Sequence, residues 1–83
     1  MRKLTVEVYL PAAQRAFDVR IPADMTMAQA SELVASALRL ESEGVYLSGD
    51  APLLCDRESG DIFNINMTVW DLGIRNGSAL MMI

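Results

Sequence analysis

Eighty-three residues make a single domain, 1–83, near the lower limit of what one core stabilises unaided; the 52% hydrophobic content includes only 6% aromatics, leaving Leu, Val, Ile, Ala and Met to fill that core. A net charge of −4, with Arg2-Lys3 the only adjacent basic pair, excludes nucleic acid and anionic membrane surfaces as partners. The lone Cys55 excludes an internal disulfide, and the absence of His removes the commonest metal ligand and general base.

Residues 3–10, KLTVEVYL, alternate: Leu4, Val6, Val8 and Leu10 share one face, Thr5, Glu7 and Tyr9 the other. This is the pattern of a half-buried strand. Pro11 to Gln14 breaks it as a turn, and 16–21 alternates again with Phe17, Val19 and Ile21 inward, which predicts an antiparallel hairpin. After Pro22 the period changes. Thr26 and Gln29 form a capping-box pair, and Met27, Ala30, Leu33, Val34, Ala37 and Leu38 recur at three- and four-residue spacing. The spacing predicts a helix over roughly 27–40, with Gln29, Glu32, Ser36 and Arg39 on its polar side and Gly44 beyond its end.

Residues 45–48, VYLS, read as a short strand ended by Gly49-Asp50. Leu53 to Cys55 and Ile62 to Ile65 read as two further strand pieces around a charged reversal, Asp56 to Asp61. Thr68, followed three residues later by Asp71, suits one capped helical turn; Gly73 allows its exit, Asn76-Gly77 is a turn dipeptide, and Ser78 to Ile83 reads as the last strand. The order β-β-α-β-(β)-turn-β gives an α+β architecture, a mixed four- to five-stranded sheet packed on one helix. No repeat, linker or low-complexity segment is visible, and no apolar run approaches the ~18 residues of a membrane span. With no secretory signal pattern, the expected location is the cytoplasm, without membrane insertion.

This order, with Thr68, Asp71, Leu72 and Ile74 ahead of the last strand, resembles the β-grasp of ubiquitin-like domains. The phrase Thr68-Val-Trp-Asp-Leu-Gly-Ile74 followed by Arg75-Asn-Gly77 resembles the YukD/EsaB family, small bacterial ubiquitin-like proteins linked to type VII secretion. It is similar also to the ubiquitin-like domain that begins the EccD-type membrane component of that system. The chain departs from ubiquitin in its longer 49–61 segment and in having Lys3 as its only lysine. The resemblance implies a non-catalytic protein-interaction module, an adaptor or regulator whose partners are membrane or ATPase components of the secretion system.

The resemblance also implies where a partner docks. In a β-grasp the first and last strands are central neighbours, and the third lies beside the last. With Leu80 and Met82 turned to the helix, Met81 and Ile83 point outward; with Val45 and Leu47 inward, Tyr46 points outward; Tyr9 joins them. Tyr9, Tyr46, Met81 and Ile83 are therefore expected to form an exposed apolar patch for partner binding. Trp70 is a second candidate, either covering the 49–61 segment or standing as an exposed anchor.

Three other chemistries are weighed. A ubiquitin-like modifier or sulfur carrier needs a C-terminal Gly-Gly, and this chain closes on Met81-Met82-Ile83, which disfavours that activity. A homodimer through the apolar face or an open strand edge is a further reading. Cys55 has no His to activate it, the Asp56, Glu58 and Asp61 spacing does not match an EF-hand, and Glu7 and Asp18 are expected on the exposed face of adjacent strands without a pocket. No enzyme activity, cofactor or metal is expected.

Overall fold

Residues 2–11, 13–41 and 53–83 are described by a computed structural model. The first two strands, β1 (Lys3–Leu10) and β2 (Arg15–Pro22), form the expected hairpin, with Val8 opposite Phe17 and Leu4 opposite Ile21. Its tip closes with bonds from Ala13 N to Leu10 O and Gln14 N to Pro11 O. Gln14 sits in the left-handed region at φ 54°.

Helix α1 spans Met27–Glu41. The capping box is formed as the sequence requires: Gln29 N donates to Thr26 Oγ1, and Thr26 N donates to Gln29 Oε1. The two preceding amides, Met27 N and Ala28 N, donate to the carbonyls of Met67 and Ile65. A distant loop thus satisfies the donors that a helix start leaves unpaired.

That loop corrects the expectation of a strand over 62–65. Ile62 makes only an isolated bridge to Cys55. Asn64 Oδ1 accepts from Asn66 N, and Met67 N donates to Asn64 O, so the chain turns where a strand would continue. The Ile65 carbonyl is turned to the helix start instead of to a neighbouring strand.

The buried stripe of α1 is also rotated from the expected one. Met27, Ala30, Ser31, Val34, Ala35 and Leu38 are buried, whereas Leu33 is 39% exposed and Ala37 only partly buried. At about 100° per residue, Leu33 falls well outside the arc centred on Met27, Val34 and Leu38. Small Ala35 and Ser31 complete that arc and allow close approach to the sheet. The Ser31 hydroxyl donates to Met27 O at 2.9 Å, so its burial leaves no unpaired group.

The remaining strands are β3 (Leu54–Asp56) and β4 (Ala79–Met82), and the sheet order is β2-β1-β4-β3. The central pair β1·β4 is parallel, and its outer pairs are antiparallel. The expected strand at 45–48, with Tyr46, lies outside the described residues; among those described, β3 is the neighbour of β4. The inner face carries Val6, Val8, Ile21, Leu54, Leu80 and Met82 against α1, with Val69 and Ile74 closing the core. Burying side chains of this size contributes about 1.5–3 kcal/mol each.

Between loop and β4 the expected turn is present. Asp71 N donates to Thr68 Oγ1 and Leu72 N to Thr68 O. Gly73, at φ 83°, exits it, and Gly77, at φ 86°, reverses the chain into β4; only glycine holds these angles without strain.

Replacing Thr26 with Ala is expected to cost about 1 kcal/mol. Leu38→Ala is expected to cost about 2–5 kcal/mol and Leu33→Gln less than ~0.5 kcal/mol. Urea unfolding of the three variants checks both the cap and the rotated stripe.

Candidate docking face

The strand register places Tyr9 beside Met81 and Met81 beside Cys55, on the sheet face away from α1. Glu7 lies beside Ala79 in the same layer. The structure therefore brings together Tyr9 and Met81 as expected, and continues the β4 alternation to Ile83, which is 57% exposed. Ile83 is held in line by bonds with Leu53 in both directions, 2.9 and 3.2 Å.

Two features differ from the exposed apolar patch that the alternation suggests. Tyr9 and Met81 are half-buried. The Arg57 guanidinium lies over the Tyr9 ring, 4.4 Å from its centroid, and its Nη1 donates to Glu7 Oε1 at 3.0 Å. The face is thus a tyrosine ring stacked under a cation, with a carboxylate at its side and Met81 and Ile83 beyond. Both members of the ion pair are about half exposed, so the pair orients Arg57 more than it stabilises the fold. Arg57 was not legible as a site residue. Its position follows from Arg57 N donating to Ala79 O, a consequence of the short β3·β4 register that the sequence of a charged turn does not reveal.

Cys55 is buried on this same face, not among the helix-packed core residues. Its Sγ lies 3.5 Å from Met81 O. Burial, and secondarily the Asp56 charge, push its thiol above the ordinary range. The protonated thiol is therefore the form that suits the fold. The following turn is closed from within: Glu58 N donates to Asp56 Oδ1, Asp61 N to Ser59 Oγ and Gly60 N to Asp56 O. Among the described residues no group of three or more His, Cys, Asp or Glu side chains is placed to hold a metal ion.

Trp70 belongs elsewhere. Its half-buried ring is approached by the guanidinium groups of Arg2, 4.6 Å from its centroid, and Arg75, at 3.2 Å. A freely exposed anchor does not describe it, and the expected cover over 49–61 falls partly on residues 49–52, which lie outside the described residues. Arg75 Nη1 also donates to Trp70 O and Ile74 O, so one side chain both caps the turn carbonyls and covers the indole. Arg2 precedes β1 and Tyr9 lies near its other end, so Trp70 and the Tyr9 face are not one site. Trp70 instead borders a shallow groove with Ala23, Asp24, Thr68 and Asp71.

No protein-family model matches the sequence, and no curated protein matches it. Solved structures match over essentially the whole chain. The ubiquitin-like domain of the Mycobacterium tuberculosis type VII secretion system protein EccD1 is 18% identical, with 100% of this chain and 99% of that one covered and a TM-score of 0.76. The EccD5 ubiquitin-like domain from Mycobacterium xenopi is 17% identical, covering 100% and 94%, with a TM-score of 0.82. A chain in the toluene 4-monooxygenase HD complex with 4-bromobenzoate is 16% identical, covering 98% and 96%, with a TM-score of 0.82. The fold is the ubiquitin-like β-grasp.

Arg75→Ala is expected to increase acrylamide quenching of Trp70 fluorescence and to lower stability by about 1 kcal/mol. For Cys55, stability is expected to be level through neutral pH and to fall as pH rises past the ordinary thiol value of about 8.5. The thiol's folded pKa is raised, so its contribution is complete below the unfolded value and is lost as pH climbs through the folded one. Cys55→Ala removes that alkaline dependence in a pH series of urea melts.

Proposed function

We propose that this chain is a non-catalytic ubiquitin-like interaction module, an adaptor or regulator of a type VII secretion system in the manner of YukD/EsaB proteins. It acts at the cytoplasmic side and docks a membrane or ATPase component of that system through the outer sheet face. The observation that carries the docking surface is the layer Glu7, Tyr9 and Arg57 beside Met81 and the 57% exposed Ile83. An aromatic ring flattened under a guanidinium, next to unbranched and branched apolar side chains, has the composition of an interface centre with a charged rim. The likeness to the EccD ubiquitin-like domains in fold, and the Thr68–Gly77 phrase in sequence, support the secretion assignment. Among the described residues no helix is long and apolar enough to cross a membrane. That fits a module recruited to a membrane assembly by protein contacts.

The test is a titration of the protein with purified cytoplasmic domains of the secretion membrane component and of its ATPase, followed by amide chemical shifts. Shifts are expected at Glu7, Tyr9, Arg57, Ala79, Met81 and Ile83. Tyr9→Ala and Ile83→Glu are each expected to weaken binding at least tenfold, about 1.4 kcal/mol, with the melting temperature nearly unchanged. Binding that leaves these amides unmoved, or no binding by either domain, overturns the reading.

A further inference from the structure

Among the described residues β2 is one edge of the sheet, with β1 as its only neighbour. Its outward groups follow from the bonds of the hairpin. Ala23 N donates to Arg2 O, while Glu7 N turns away from β2 to Ser78 O and Thr5 O accepts from Gly77 N. Bonded and non-bonded pairs alternate along an antiparallel ladder. Asp18, opposite Glu7, and Arg20, opposite Thr5, are therefore in non-bonded pairs, as is Ala16 opposite Tyr9. Their N–H and C=O groups point out from the sheet edge, whereas the Pro22 carbonyl accepts from Met25 N at 3.3 Å. Among the described residues nothing bonds to the outward backbone groups of Ala16, Asp18 and Arg20.

The side chains on this edge carry an unresolved electrostatic arrangement. Glu7 and Asp18 are direct cross-strand partners, both exposed, and like charges in such a pair are destabilising. Arg57 answers Glu7 at 3.0 Å. Among the described residues, Asp18 has no cation within ion-pair distance, and Arg20, two residues on along the same face, has no carboxylate. A cation delivered from across the edge would answer Asp18.

We propose that the β2 edge pairs with β2 of a second copy, antiparallel, about a two-fold axis at Val19. In this register Asp18 lies opposite Arg20 of the second copy and Arg20 opposite its Asp18, each pair exchanging both backbone bonds. Ala16 lies opposite Pro22 of the second copy, which has no N–H and whose carbonyl is already held by Met25 N, so the two Asp18–Arg20 pairs carry the backbone pairing. Shifting the axis to residue 18 or 20 sets Asp18 against Asp18 or Arg20 against Arg20. The same charges that deter a foreign strand or a slipped register therefore select one self-complementary pairing. The axis runs normal to the sheet, so the helices of the two copies share one side. The two Tyr9 faces share the other, which presents a partner with two docking faces on one continuous sheet. Edge pairing alone buries less than a permanent dimer requires, so the association is weak and concentration-dependent.

The test is sedimentation velocity over a concentration series, with circular dichroism confirming each variant folded. The wild type is expected to move toward twice the chain mass as concentration rises. Asp18→Arg and Arg20→Asp, which each place like charges opposite one another, are expected to remain monomeric. An equimolar mixture of those two variants is expected to form the heterodimer, because one supplies two cations and the other two carboxylates, and the double swap is expected to restore self-association. Amide hydrogen exchange needs no variant: Asp18 and Arg20 of the wild type are expected to gain protection with concentration. A wild type that stays monomeric throughout, a dimer indifferent to either single variant, or a mixture that does not associate would overturn the proposal.

Discussion

The parallel pairing of β1 with β4 is the constraint on which the rest of the molecule depends. It joins the two ends of the chain at the sheet centre, with Val8 beside Leu80 on one face and Tyr9 beside Met81 on the other. Parallel strands need a long crossover. Here everything from β2 to Gly77 serves as that crossover, carrying α1 over the inner face on the way. The pairing is prepared before β4 begins: Asn76 Oδ1 accepts from Thr5 N, and Gly77 N donates to Thr5 O. The turn dipeptide thus extends the ladder along β1 while reversing the chain.

The same pairing shapes both proposed surfaces. With β4 on one side of β1, β2 is left as an edge, its outward backbone groups set by the hairpin ladder. With Met81 beside Tyr9, the outer face acquires an apolar centre, and β3 on the far side of β4 delivers Arg57 to cover the ring. Ordering that face takes little energy from the ion pair itself, which remains solvated on both sides. What fixes it is backbone: Arg57 N on Ala79 O, and Ile83 bonded both ways to Leu53.

The segment after β3 shows how a local sequence preference gives way to a distant need. Ile62 to Ile65 has strand-like composition, yet α1 begins with amides that require acceptors, and the carbonyls of Ile65 and Met67 supply them. The loop that caps the helix is therefore as much a part of helix α1 as Thr26 is. Trp70 follows the same logic. Its ring is set by Arg75, whose guanidinium answers the carbonyls of the turn beneath it, and by Arg2 from the opposite end of the chain.

The sequence by itself determined the two-residue alternation of β1 and β2, the Thr26/Gln29 cap, the Thr68 turn, the glycine at position 77 and hence the α+β order, because each is decided by contacts within a few residues. It also placed Leu80 and Met82 inward and Met81 outward, since alternation follows once one face is known. The tertiary structure alone decided that α1 buries Ala35 and Ser31 rather than Leu33, that the carbonyls of Ile65 and Met67 cap a helix, that two arginines approach the Trp70 ring, and that Arg57 meets Tyr9 and Glu7. Those outcomes rest on strand register, on the exact rotation of one helix and on bonds between segments far apart in the chain. Neither periodicity nor composition carries information about such distances, so only the assembled sheet could settle them.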